Sequence, residues 1–196
     1  MKTKAENPAA LLAGRDASPL LAAFFELNHL KQLYRQGWLQ RGVPAERCES
    51  VAEHIFSMAV LGWWLLDESF PELERERVLR MILIHELGEI YTGDITPGDG
   101  MPPEEKYRLE RENFWKVAGR LPRGPEYLAL WEEFELGQSA EARFVRQLDR
   151  LEMGLQAAVY RAQGMPEMEQ FFASASAALH DPRLRDVFAE IENLRG

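Results

Sequence analysis

The chain has 196 residues, 46% of them hydrophobic and 28% charged, which suits one globular domain with a substantial core. Its formal net charge of -9 excludes a polyanion such as DNA or RNA as the main partner, because that would need a broad basic face, but leaves room for a small anion held by a few local cations. One cysteine, Cys48, excludes an intrachain disulfide and fits a reducing, cytoplasmic setting, and no apolar run is long enough to span a bilayer or to serve as a signal peptide.

Residues 1–17 read as a flexible lead-in. Ser18 followed by Pro19 is an N-cap with proline at the first helical position, and predicts a helix to about Gln36, stopped by Gly37. A loop holding Trp38, Arg41, Pro44 and Arg47 follows. Ser50-Val51-Ala52-Glu53 has the capping-box pattern and opens a helix to about Asp67. The next helix is expected from Glu72 to about Ile90, then a glycine- and proline-rich loop over residues 92–103. A charged helix covers about 103–119 and a shorter one about 125–136. Ser139 caps a long helix from Ala140 to about Ala162. Two terminal helices, 166–180 and 182–194, are split by Asp181-Pro182. With no strand alternation and no repeat, the fold class is all-α. The expected organisation is a lead-in (1–17), a helical domain (18–165) and C-terminal helices (166–196) packed on that domain.

Three of these helices carry ionisable residues where apolar ones belong. The segment 78–90 is apolar almost all round, as a buried helix should be, yet it holds His85, Glu86 and Glu89. His54 shares a face with Met58, Leu61 and Leu65, and Asp149 lies between Val145 and Met153 at helical spacing. Taken singly, His54 reads as a satisfied core histidine, Asp149 as a partner for Arg146 or Arg150, and the glutamates as surface charges. Taken together, burying this set unpaired costs several kcal/mol, roughly, and a divalent cation is the simplest common partner. Mixed nitrogen and oxygen donors suit Mn, Fe, Co or Zn; Mg is compatible but favours a more oxygen-rich shell. His29 and His180 have no acidic cluster nearby in sequence and read as structural or exposed.

The strings Glu49-Ser50-Val51-Ala52-Glu53-His54, His85-Glu86-Leu87-Gly88-Glu89-Ile90-Tyr91-Thr92-Gly93-Asp94-Ile95 and Phe144-Val145-Arg146-Gln147-Leu148-Asp149-Arg150-Leu151-Glu152-Met153 resemble, in that order, the HD-domain 5'-deoxynucleotidases. Gly37-Trp38, Arg41 and Pro103-Glu104-Glu105-Lys106 are similar to that family as well, and the resemblance covers about residues 20–165. It implies an HD-domain helical bundle, one divalent metal ion held by His54, His85, Glu86 and Asp149, and a homodimer. It also implies an acidic catalytic pair, Glu89 and Asp94, and a substrate loop holding Ile95 and Thr96. Trp38 would pack on sugar or base (or plug the loop as a core residue), and Arg35 or Arg41 would orient the phosphate. One position departs from the pattern: the pair that names the superfamily is His-Asp, and here it is His85-Glu86, with the same oxygen donors and one more methylene. The expected activity is metal-dependent hydrolysis of deoxyribonucleoside 5'-monophosphates. The alternatives are another phosphohydrolase of the superfamily, acting on a different nucleotide or phosphomonoester, and a non-catalytic metal-binding helical dimer.

Overall fold

The computed structural model describes residues 2–193, and among these all regular structure is helical apart from two isolated bridges, Thr3 with Leu33 and Tyr34 with Ser50. Helix α1 (Pro19–Leu27) starts where its cap predicts, with Ser18 Oγ accepting from the Leu21 amide at 3.3 Å. It is shorter than the sequence suggests. The chain tightens into a 3-10 turn over Asn28–Lys31, where the His29 carbonyl accepts from both Gln32 and Leu33, and then runs extended to Arg35. Gly37 does not stop a helix; it lies within a short one, α2 (Gln36–Gln40). The break has a tertiary cause. The His29 ring is buried and donates from Nδ1 to the Ile90 carbonyl at 2.5 Å, while Leu30 and Leu33 turn into the core. The extended stretch is clamped on both sides, by Arg35 N–H to Glu49 O (3.1 Å) and by Lys4 N–H to Gln32 O (2.7 Å). Residues 2–4 thus lie along the domain.

The capping box of α3 (Val51–Glu68) is formed in both directions, Ser50 Oγ accepting from Glu53 N–H and the Glu53 carboxylate accepting from Ser50 N–H. Then come α4 (Arg75–Ile84), α5 (Glu89–Thr92), α6 (Pro103–Ala118), α7 (Gly124–Leu136), α8 (Ala140–Ala162), α9 (Glu169–Ala178) and α10 (Pro182–Asn193). Helix α8 is the axis of the bundle, packed against α3, α4, α7, α9 and α10. Its apolar face, including the fully buried Leu148 and Leu151, meets Met58 and Leu66 of α3 and Met81 and Ile82 of α4. Each such side chain contributes about 1.5–3 kcal/mol by leaving water. Gly62 permits the close approach of these three helices: a Cβ there would sit 2.8 Å from both Ile82 Cδ1 and Leu148 Cδ2. The same contact brings His54, His85 and Asp149, one from each region, to a common point. The terminal helices bury Phe172, Ala175, Leu184 and Phe188 in the same cluster. No helix among the described residues is long and apolar enough to cross a membrane.

Candidate metal centre

The helix expected over residues 72–90 is interrupted where the ionisable residues lie. α4 ends at Ile84, residues 85–88 form a turn, and α5 begins at Glu89. In the turn the amides of Leu87, Glu89 and Ile90 each bond three residues back rather than four. That tightening leaves the His85 carbonyl free, and the indole of Trp131 in α7 donates to it at 3.1 Å. In an unbroken helix, neighbours at i and i+1 diverge by about 100°. His85 and Glu86 nonetheless reach one site through their side chains, His85 Nε2 lying 3.4 Å from Glu86 Oε1.

His54, His85, Glu86 and Asp149 each offer one donor atom, and the four atoms lie within 4.8 Å of one another. His54 Nε2 is 3.3 Å from Asp149 Oδ1 and 3.9 Å from Glu86 Oε1; His85 Nε2 is 3.4 Å from Glu86 Oε1. Ions with ligand bonds of roughly 2.0–2.2 Å hold neighbouring donors at about this spacing. The longer glutamate of the His-Glu pair therefore reaches the same cluster. His54 Nε2, His85 Nε2 and Asp149 Oδ1 are buried and lack a hydrogen-bond partner. Buried polar atoms are nearly always satisfied, so three orphans converging on one point fit a cation.

The outer nitrogens are already committed. His85 Nδ1 donates to the Ile82 carbonyl at 2.8 Å, and His54 Nδ1 donates to Glu152 at 2.7 Å, which leaves both Nε2 lone pairs aimed inward. Glu152 and Asp149 stand one turn apart on α8 and address opposite nitrogens of one ring. Burial alone would lower the His54 pKa, as would Arg35, but these two carboxylates push it up to about 10, so this corner favours a positive charge at Nε2, whether a proton or a cation bound through the lone pair. Burial alone would raise the carboxyls of Glu86 and Asp149, yet His85 beside the first and His54 beside the second hold them well below the usual range.

Around this cluster opens a cleft of about 640 Å³. Arg35 lines it and its guanidinium meets Glu86 at 3.0 Å, Asp94 at 3.3 Å and Asp149 at 3.8 Å. Asp94 is further held by the Gln36 amide of α2 at 2.6 Å. Glu89 lines the same cleft, almost wholly buried, with Oε2 unpartnered; burial, and then Glu86 and Asp94, push its pKa well above the carboxylate range. Ile95 and Thr96 also line the cleft, the Thr96 hydroxyl being shared with Asp99 and Gln40. Trp38 is at the cleft but only 2% exposed, its indole N–H donating to Glu49 at 2.7 Å. Arg41 is exposed at the end of α2 and does not line the cleft, so of the two arginines the structure brings only Arg35 to the cluster.

Sequence reasoning missed Glu152, although it lies three residues beyond Asp149 on the same face. It also missed Glu49 and the cleft residues Met153 and Phe171, and treated Glu110 only as part of a charged helix. Glu110 is buried on α6 against Gly88 and beside Lys106 (3.4 Å). Burial pushes its pKa up to about 7, Lys106 opposing and Glu86 adding to the rise. A carboxyl with a raised folded-state pKa contributes stability that is present below the unfolded value and lost as pH rises through the folded one. Between about pH 4.5 and 7 the folded state should therefore lose about 3 kcal/mol at this group. Thermal melts of Glu110→Gln should show a shallower decline over that window than wild type; parallel curves would refute the assignment.

A family model described as an HD domain matches residues 27–191. The 5'-deoxynucleotidase HDDC2 of Bos taurus is 37% identical over 190 residues, covering 95% of this chain and 90% of the relative. Among solved structures, a conserved hypothetical protein from Pyrococcus furiosus superposes with a TM-score of 0.74 at 27% identity, covering 87% of this chain and 98% of the other. A predicted metal-dependent phosphohydrolase from Magnetospirillum magnetotacticum superposes with a TM-score of 0.66 at 27% identity, covering 89% and 90%. The histidine–carboxylate cluster, the helical bundle that assembles it and these likenesses agree: the chain belongs to the HD domain family.

Proposed function

We propose that this protein is a metal-dependent 5'-deoxynucleotidase, releasing phosphate from deoxyribonucleoside 5'-monophosphates. The observation that carries the reading is the set of inward-facing, unpartnered donors of His54, His85 and Asp149, with Glu86 beside them, at the floor of a cleft that also holds Arg35, Glu89 and Asp94. Relatives named as 5'-deoxynucleotidases supply the substrate class.

His54, His85, Glu86 and Asp149 would hold a divalent ion, which would supply Lewis acidity at the phosphoryl group and lower the pKa of water. The chain does the rest. Arg35 places its positive charge at the mouth of the cluster, where a phosphate dianion must come to rest, in a protein that is otherwise acidic. Phosphoryl transfer needs mainly positioning and charge neutralisation. Glu89, whose protonated form is favoured by burial and by Glu86 and Asp94, can hand a proton from its carboxyl to the departing 5'-oxygen. Asp94, anchored by Arg35 and the Gln36 amide, can accept a hydrogen bond from the attacking water and orient it. Lys106 lines the cleft near Glu110 and adds a further cation on the α6 side.

Metal-stripped protein given nucleoside 5'-monophosphates, with Mn, Co, Zn or Mg restored, should release free phosphate and favour the deoxy series. Pyrophosphate in place of phosphate would point to a polyphosphate substrate. Metal binding with no turnover of any phosphate ester would favour a non-catalytic module. A homodimer is part of the same reading, supported by Phe56, Trp63 and Trp64, which are 71%, 53% and 60% exposed along the outer stripe of α3. A monomer by light scattering at micromolar concentration would remove it.

A further inference from the structure

The cleft is chemically divided. Its floor carries Glu86, Glu89, Asp94 and Asp149; one helical turn along α8, ~6 Å from Asp149, the lining becomes apolar at Met153. Of the aromatic residues in that lining, Trp38, Phe134 and Phe171, the last comes from α9, apart from the metal-bearing helices and the loop after α5.

Phe171 is placed with some care. Its neighbour Phe172 and, one turn on, Ala175 are buried in the core, so α9 is seated with Phe171 directed to the cleft side. The ring lies on Trp38, with centroids 4.0 Å apart and planes inclined by 42°, and Trp38 in turn meets Tyr160 edge-on at 5.1 Å. Trp38 is thus enclosed: its N–H is taken by Glu49, its face is covered, and 2% of its surface remains. Phe171 is only half-buried, so the ring that remains open to a ligand is the phenyl, backed by the indole. The backbone of α2 passes close beneath it: a Cβ at Gly37 would be in ordinary contact with Phe171 Cε1 at 3.5 Å.

We infer that Phe171 is the wall on which the nucleobase of the substrate packs, and hence a specificity-determining residue contributed by the C-terminal helices. The inference rests on the nucleotide reading of the same cleft. A nucleoside monophosphate is anionic at one end and flat and aromatic at the other; Arg35 and a cation held by the donor cluster would take the first, and the Phe171 ring the second. Aromatic rings pack favourably on every base, so Phe171 selects for the presence of a base more than for its identity.

The test compares deoxyadenosine 5'-monophosphate with 2-deoxyribose 5-phosphate, which lacks the base, by steady-state kinetics of the metal-supplemented full chain. Phe171→Ala should raise KM for the nucleotide about tenfold, with kcat within about twofold, and leave the sugar phosphate unchanged. Phe171→Tyr should restore the wild-type KM. If Phe171→Ala loosens α9 it will slow both substrates alike; Phe171→Leu, which keeps apolar volume without the ring, must then still separate the two. Equal effects on both substrates in the leucine variant, or an unchanged nucleotide KM in the alanine variant, would overturn the inference. Wild type that turns over the sugar phosphate as well as the nucleotide would also overturn it while leaving a phosphohydrolase. Wild type that releases phosphate from neither would remove the nucleotidase reading and this inference together.

Discussion

Replacing Glu89 by glutamine is expected to lower kcat by about 10²–10⁴ while leaving the bound metal content unchanged. Glu89 is 2% exposed, its Oε2 has no partner, and burial beside Glu86 and Asp94 favours its protonated form. Glutamine keeps the shape and the neutral charge of that form, so the fold and the metal cluster should survive; what it lacks is a proton to give. Calorimetric metal titration run beside the phosphate assay separates the two properties. Loss of both metal and turnover would make Glu89 part of the ion's own support. Turnover close to wild type would assign proton transfer to Asp94 instead.

The second large effect belongs to Asp149. Its carboxylate stands 3.3 Å from His54 Nε2 and 3.8 Å from Arg35, and Oδ1 is one of the buried atoms without a partner. Asp149→Ala removes a negative donor and leaves the positive Arg35 facing the histidines, so the cluster should no longer concentrate a cation. In wild type, metal at a hundred times its Kd should add about 2.7 kcal/mol of stability, which is roughly 5–10 °C in melting temperature for a chain of this size. The variant should show no such shift and no phosphate release. A full metal-dependent shift in Asp149→Ala would place the ion elsewhere, with Glu49, His54 and Glu152 the other grouping of donors among the described residues.

How far local pattern reaches can be judged from particular helices. The caps at Ser18, Ser50 and Ser139 marked true helix starts because a cap is a bond between neighbours in sequence, and the hydroxyl is three residues from the amide it accepts from. The end of α1 and the break after Ile84 were not legible. Both arise from groups far along the chain: the Ile90 carbonyl that takes the His29 ring, and the Trp131 indole that takes the His85 carbonyl. Helical periodicity continued past both points, and it carries no record of a hydrogen-bond partner 46 or 61 residues away.

The sequence by itself determined the all-α class and the candidate donors. Apolar spacing at 3.6 residues sets the first, and the high cost of burying a bare charge makes His54, His85, Glu86 and Asp149 conspicuous on apolar faces. Only the tertiary structure decided which groups surround those donors. It chose Arg35 over Arg41, set Glu152 behind His54, enclosed Trp38 and brought Phe171 of α9 to the cleft in front of it. Each of these depends on the direction in which a side chain leaves its helix and on how closely another helix approaches. That approach is set by packing at places such as Gly62, between segments that are distant in sequence.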